Sequence, residues 1–350
     1  MHVKSTFVQR LPLVIASILT LLFLFITKLI PLYLNSQHII YDPQVIGTKA
    51  GKMSCLLTWP LSDLFSDHFV NSYYFIPFVF LYYWLLIIAL KPIHVFLKQR
   101  KIYRWIFISL LFFFTLLRLF PNTLCLLDNH QPSRSIGTSG NGNLAHGKRM
   151  LFQGNNFQYF NFISYLKGNC FVHDKVKQSL LDAYKICETT CPGVEFYTGE
   201  GSMRKGGPYI FNHRTHQNGL SVDLLLNYKK DNAPYDPVGL FNAYGYGLNT
   251  DDKGFINESV PIDWYAAHTQ LDFETNARFL LALDDACKKN GIRIRIVILK
   301  TTLKPSLFAT PSGKQLLARK IRFAHTLTPL LNQAHDDHFH VDFELLHSSI

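Results

Sequence analysis

Two histidine-rich motifs, remote from each other along the chain, constrain the fold more than any other feature of the sequence. The first, HRTHQNGLSVD, runs from His213 to Asp223, and the second, HDDHFH, runs from His335 to His340. Imidazole and carboxylate groups are common zinc ligands, and a catalytic zinc site combines three such ligands with an open coordination position. The motifs therefore predict a fold that brings both segments to one metal centre, as in an enzyme.

The second motif is predicted to lie on a β-strand. Val341, Phe343 and Leu345 alternate with polar residues, which is the pattern of a strand with one buried face. Residues two apart on a strand point to the same side of the sheet. His338 and His340 can therefore reach one point.

The first motif contains a turn followed by a second predicted strand. Gly219 permits a tight turn, and the run from Leu220 to Leu226 is typical of a strand. His216 before the turn and Asp223 within the strand are thus placed to share an ion. A single His-x-His pair is weak support for a ligand pair, but two such motifs in one chain are stronger support than either alone.

The remainder of the second half predicts an α+β domain. Apolar residues recur at helical spacing from Val172 to Glu188, and a second helix is predicted from Phe273 to Asn290, closed by Gly291. The run from Ile292 to Ile298 alternates and then becomes fully apolar, as in a strand that enters a sheet. We expect helices packed on a mostly antiparallel sheet.

Three apolar segments in the first third of the chain predict transmembrane helices. They run from Leu11 to Ile30, from Tyr73 to Leu90 and from Ile102 to Phe120, close to the length that crosses a hydrocarbon core of about 30 Å. Arg104 and Arg118 interrupt the third segment, so it spans only if both side chains reach the headgroups. The alternative is a set of buried apolar helices in a soluble protein.

The charges around these segments predict a topology. Lys4 and Arg10 precede the first segment, and five basic residues lie between positions 91 and 104. By the positive-inside rule, the N-terminus and this basic connection are cytoplasmic, and everything after Phe120 lies beyond the membrane. The first segment is longer than a secretory h-region and lacks a small-residue cleavage site, so we expect a retained anchor.

Cysteine usage agrees with an exported domain, because an oxidising compartment permits disulfides. The pairing cannot be read from the sequence, and buried free thiols are the alternative. No C-x-x-C spacing supports a cysteine-ligated zinc. The six cysteines are Cys55, Cys125, Cys170, Cys187, Cys191 and Cys287.

The net charge of +11 is ascribed mainly to solvated surface residues, with attraction to an anionic polymer as the alternative. No basic run interleaved with aromatic residues is present, so nucleic acid is not expected as a partner.

Further short stretches complete a recognisable pattern. Ser135-Ile136-Gly137, Asn141-Gly142, Leu144-Ala145 and Gly206-Gly207 precede the two histidine motifs in order. Together these residues resemble the penicillin-insensitive murein endopeptidases, within a wider group of zinc peptidases that includes lysostaphin-like enzymes and D-alanyl-D-alanine peptidases. The resemblance covers roughly Ser135 to Phe343 and leaves the apolar N-terminal segments unmatched.

The resemblance implies a role for each motif residue. His216, Asp223 and His340 correspond to zinc ligands, and His338 corresponds to the catalytic base. The implied activity is hydrolysis of the peptidoglycan cross-link between D-alanine and meso-diaminopimelate. Together with the predicted topology, this implied activity places the protein in the inner membrane and its catalytic domain in the periplasm. The residues implied to line the catalytic site beside the base are His213 and His335.

Three positions depart from the family's pattern. Ser221 stands where an acidic residue is usual, Asn143 where a cysteine is common, and Asp342 where a basic residue is common. The implied metal ligands are unaffected, but substrate preference and disulfide pattern cannot be carried over from the family.

The sequence thus predicts an antiparallel-sheet α+β zinc peptidase domain preceded by an all-α membrane section. The membrane section is residues 1–121, with spans of about 11–30, 73–90 and 102–120; the linker is 122–134 and the domain is 135–350. Two alternative functions are a zinc carboxypeptidase of the same group and a metal-binding module without turnover. The oligomeric state is not predicted.

Overall fold

The computed structural model divides the chain into two compact units, Met1–Phe120 and Pro121–Ile350. The residues that it describes are 2–24, 76–99, separate positions between 103 and 117, and 120–208, 215–238, 244–256 and 268–346.

The first unit contains two long helices, α1 (His2–Leu24) and α2 (Ile76–Gln99), which pack against each other. Ala16, Phe23 and Val79 are buried. Many other apolar side chains of these helices are exposed, among them Leu21 and Leu85.

The prediction of three transmembrane helices is wrong. Within the described part of the chain, no helix is both long enough and apolar enough to span a bilayer. Residues 25–30 and 73–75 of the predicted spans, and much of the third span, lie outside the described residues.

The second unit is α+β and is built around a mixed five-stranded sheet. Its strands are β1 (Arg134–Gly137), β2 (Gly142–Ala145), β3 (Lys148–Arg149), β4 (Phe157–Tyr159), β5 (Phe171–Val172), β6 (Phe196–Thr198), β7 (Ser221–Leu225), β8 (Tyr228–Lys230), β9 (Ala233–Tyr235), β10 (Gln270–Leu271), β11 (Ile292–Ile298) and β12 (His338–Leu345). The central order is β11-β12-β7-β6-β4, in which only β4 and β6 are parallel neighbours. Smaller sheets are β1-β2, β3-β5 and β10-β8-β9.

The helices of this unit vary widely in length. They are α3 (Phe162–Lys167), α4 (Asp174–Thr190), α5 (Phe273–Lys289), α6 (Lys304–Ala309), α7 (Pro311–Ala318) and α8 (Pro329–Gln333), with 3-10 helices at Pro121–Leu127 and Thr301–Leu303. The two longest, α4 and α5, pack against each other. They contribute buried apolar side chains to the same core as the central sheet.

Helix α4 begins two residues later than its apolar periodicity predicts. Val172 belongs to the short strand β5, which pairs with β3, and the His173 ring accepts a hydrogen bond from the Lys175 amide at the start of α4. Strand pairing therefore overrides the helical pattern at this end.

Tyr184 of α4 stacks on Phe279 of α5, with ring centroids 5.4 Å apart.

The five cysteines in the described part of the chain are free thiols, and Cys55 lies outside it. Four of the five are buried, so the burial alternative describes them better than disulfide pairing does.

Strand β12 has side chains on both faces of the sheet. One face packs on the hydrophobic core, and the other, which carries His338 and His340, is here called the functional face. Phe339, Val341 and Phe343 point into the hydrophobic core, since they are almost completely buried and belong to its main cluster. The intervening residues, including His338 and His340, point to the opposite face. The predicted alternation of this strand is therefore present.

Candidate metal centre

Three side chains from the two histidine motifs meet on the functional face of the central sheet. Asp223 of β7 and His340 of β12 are direct cross-strand partners. His216 reaches them from the loop before β7, where its backbone has a φ of 69°. Asp223 Oδ1 lies 3.3 Å from His216 Nε2 and 3.0 Å from His340 Nδ1.

The tight turn between His216 and Asp223 requires a glycine. Gly219 has a φ of 77°, and a Cβ atom there would approach the Leu144 side chain to 2.7 Å and the His173 backbone nitrogen to 3.0 Å. A side chain is therefore excluded by both conformation and space. The predicted role of Gly219 follows from this geometry.

The three residues fit a tetrahedral metal site. Their candidate ligand atoms all lie within 4.8 Å of one another, and all three side chains are buried. At zinc–ligand distances of 2.0 to 2.1 Å, neighbouring ligands in a tetrahedron are about 3.3 Å apart, close to the two separations from Asp223 Oδ1. Two imidazoles and one carboxylate also leave a coordination position for water. The group can therefore hold a metal ion.

The protonation of these groups favours a bound cation. Burial raises the pKa of Asp223, but the neighbouring His216 and His338 rings lower it to well below its usual value. Burial lowers the pKa of His340, but its hydrogen bonds with Asp223 and Asp342 raise it to about 9. Asp223 is therefore a carboxylate that stabilises positive charge beside it. Without a metal, that positive charge is a proton on a histidine ring. A divalent cation would replace it, so metal binding is expected to release protons.

His338 lies beside the three candidate ligands and is oriented by Asp337. Its Nδ1 lies 2.5 Å from Asp337 Oδ1, and its Nε2 lies 3.8 Å from Asp223 Oδ1. A carboxylate can only accept, so Nδ1 carries the proton that is donated to Asp337. Burial lowers the pKa of His338, whereas Asp223 and Asp337 together raise it above the usual value. Because Nδ1 is held by Asp337, Nε2 is the ring nitrogen that faces the site.

His335 completes the imidazole cluster. Its ring centroid is 4.8 Å from that of His338 and 6.1 Å from that of His340. Its Nδ1 donates to the Leu331 carbonyl oxygen at 2.6 Å. Burial and the neighbouring His338 lower the pKa of His335 to about 4, so the ring is neutral near pH 7 and its Nε2 can accept a hydrogen bond.

The structure therefore brings together five of the six residues that the motifs suggested as ligands or catalytic groups. The sixth, His213, lies outside the described residues. The five are His216, Asp223, His335, His338 and His340.

Other residues of the site were not predicted from the sequence. The Tyr246 hydroxyl donates to Asp223 Oδ2 at 3.1 Å and accepts from the Glu200 amide at 2.9 Å. Tyr246 follows a Gly-Tyr-rich loop whose spacing carries no ligand signature. Asp337 is adjacent to His338 in the motif, and this adjacency is the only signal that marked it.

Asp336 belongs to the same motif but faces away from the metal centre. Its side chain accepts from the Thr250 amide at 3.3 Å and lines a cleft of about 690 Å³ together with Lys300. Asp336 and Asp337 are adjacent in the chain but therefore have different surroundings.

Comparison with known proteins supports the first motif in particular. No curated protein matches the chain. A family model matches residues 135–238, which include His216 and Asp223, while the fold adds His340 from beyond the matched region. The match supports a peptide hydrolase. The predicted resemblance is confirmed: residues 135–238 of the chain match the family of penicillin-insensitive murein endopeptidases.

Proposed function

We propose that this protein is a zinc-dependent endopeptidase that hydrolyses the peptide cross-links of peptidoglycan between D-alanine and meso-diaminopimelate. The observation that carries the proposal is the convergence of His216, Asp223 and His340 from two remote motifs. The family match over residues 135–238 supports the substrate class.

The imidazole and carboxylate ligands suit zinc better than magnesium or calcium, which prefer oxygen ligands alone. His216 Nε2, Asp223 Oδ1 and His340 Nδ1 are the atoms that would hold the ion. A zinc ion held there would supply Lewis-acid chemistry and would lower the pKa of a bound water to about 7.

His338 is the group that moves protons. Its Nε2 faces the site while Nδ1–H is held by Asp337, so the ring can take a proton from the attacking water. The same nitrogen can then deliver this proton to the amine that leaves as the peptide bond breaks. One water molecule is consumed, and a carboxylate and an amine are formed.

His335 acts as an acceptor in this scheme. Its Nδ1–H is committed to the Leu331 carbonyl, and the neutral ring offers only the lone pair of Nε2. It is therefore suited to orient a substrate N–H group or the attacking water, and not to donate to a developing oxyanion.

The proposed substrate lies outside the cytoplasmic membrane, so we propose that the catalytic domain acts in the periplasm. Peptidoglycan is the partner in this proposal. No serine is acylated by this mechanism, so β-lactams would have no nucleophile to trap.

The proposal is tested by digesting purified muropeptides with the full-length protein, with and without a chelator, and measuring the products by mass spectrometry. An endopeptidase converts cross-linked dimers into monomers, whereas a carboxypeptidase releases only terminal D-alanine. His338→Gln is expected to abolish the conversion, and His325→Gln, at an exposed histidine, serves as the matched control. Unchanged dimers with zinc-loaded wild-type protein would refute the proposal.

A further inference from the structure

The functional face of the sheet carries a second cross-strand pair beside the Asp223–His340 pair. Ser221 of β7 lies opposite Asp342 of β12, one step along both strands on the same face. Both side chains are buried. Ser221 Oγ donates to Asp342 Oδ1 at 2.5 Å.

Asp342 also contacts the candidate ligand His340. Asp342 Oδ1 lies 3.1 Å from His340 Nε2, while His340 Nδ1 lies 3.0 Å from Asp223 Oδ1. The two ring nitrogens thus face different carboxylates. A nitrogen that binds a metal ion must be unprotonated, so binding through Nδ1 leaves the proton on Nε2, from which Asp342 accepts it.

A third strand holds the other oxygen of Asp342. The pairing of β11 with β12 shifts by one residue between Ile294 and Ile296, which leaves Arg295 as the extra residue of a β-bulge. The Arg295 guanidinium pairs with Asp342 Oδ2. Asp342 is therefore fixed from three directions, by His340, Ser221 and Arg295.

From this network we infer that Asp342 is a positioning residue, which orients the His340 ring so that Nδ1 is the metal-binding nitrogen. The inference rests on the proposed metal site and adds a residue that holds the ligand rather than touching the ion. Ser221 and Arg295 act one step further out by holding Asp342.

An Asp342→Asn substitution tests the effect on the orientation of the His340 ring without changing the size of the side chain at position 342. The amide must present its oxygen to either Arg295 or His340. If the oxygen accepts from Arg295, the NH2 group faces His340 Nε2 and disfavours the proton there. Loss of such a supporting carboxylate typically weakens metal binding about 10- to 100-fold.

The test measures the zinc dissociation constant of the full-length protein at neutral pH by competition with a chromophoric chelator. We expect Asp342→Asn to weaken binding about 10- to 100-fold and Ser221→Ala to weaken it less. Glu344→Gln is the matched control, since Glu344 lies on the same face of β12 but pairs with Arg293. It is expected to leave the constant unchanged.

A purely structural role for Asp342 would lower the melting temperature of the metal-free protein without changing the zinc constant. That result would overturn the inference. Nitrogen-15 NMR of the zinc-loaded wild type should show the His340 proton on Nε2, and a proton on Nδ1 would also overturn it.

If Asp342→Asn does not fold, an unchanged zinc dissociation constant in Ser221→Ala overturns the inference. Failure of the wild type to bind zinc would refute the proposed function itself, and this inference with it.

Discussion

The interaction between Asp337 and His338 yields the sharpest prediction for activity. Asp337 is buried, and its Oδ1 lies 2.5 Å from His338 Nδ1. In Asp337→Asn the side chain keeps its shape but can present an NH2 group to Nδ1. The His338 proton then moves to Nε2, and the lone pair that faces the site is lost.

The size of the effect follows from the role of the base. General-base catalysis contributes a factor of about 10² to 10⁴ to the rate. At 1.36 kcal/mol per tenfold change, this corresponds to an activation free energy about 3 to 5 kcal/mol higher. Asp337 contacts none of the three candidate ligands in the hydrogen bonds described above, so zinc binding is expected to stay close to that of the wild type.

The assay is the single-turnover rate of muropeptide dimer cleavage, with bound zinc measured on the same sample. Asp336→Asn is the matched control, since it makes the same change one residue earlier but at a side chain that faces Thr250 and Lys300. If Asp337→Asn cleaves at the wild-type rate, or if its rate falls by the same factor as that of Asp336→Asn, the assigned orientation of His338 is refuted.

Three further predictions concern metal binding and stability. His216→Ala is expected to abolish tight zinc binding, measured as metal content after dialysis, because two protein ligands remain. Burial and the adjacent Asp337 raise the pKa of Asp336 to about 6. The protonated form is therefore favoured by the fold, and wild-type stability falls as pH rises through about 6. Asp336→Asn is expected to raise the free energy of unfolding by about 1 to 2 kcal/mol at neutral pH and to change nothing below about pH 4, measured by urea denaturation. Phe279→Ala is expected to cost about 3 to 5 kcal/mol in the same assay, because its ring is buried between Tyr184 and Phe196.

Each of these has a result that would contradict it. Full zinc occupancy in His216→Ala would remove this residue from the ligand set. A stability gain in Asp336→Asn that persists at low pH would show that its charge is not the cause. For Phe279, the control is Phe255→Ala at an exposed ring, and an equal loss in both variants would contradict the assigned core position.

The local structure of the site could be predicted because its patterns are short-range. Alternation alone placed His338 and His340 on one face of a strand, and both residues lie on β12. The helix predicted from Phe273 forms as α5, where the Asp272 side chain accepts from the Thr275 amide. Gly291 has a φ of 67° and follows this helix, as its predicted position required.

The residues that support the site could not be predicted because their roles arise from tertiary contacts. Asp342 becomes a partner of His340 only through the pairing of β7 with β12 and through the bulge at Arg295. Tyr246 reaches Asp223 from a separate loop. The transmembrane prediction was wrong, since no helix in the described part of the chain is long and apolar enough to cross a bilayer.

The opposed positions of Ser221 and Asp342 bear on how related sequences differ. By resemblance, an acidic residue is usual at the first position and a basic residue at the second, which makes a charge-neutral pair. Here serine and aspartate stand opposite each other, and Arg295 from a third strand restores neutrality. In this chain the charge of Asp342 is therefore balanced by Arg295 in the bulge of β11 and not by the residue opposite it on β7.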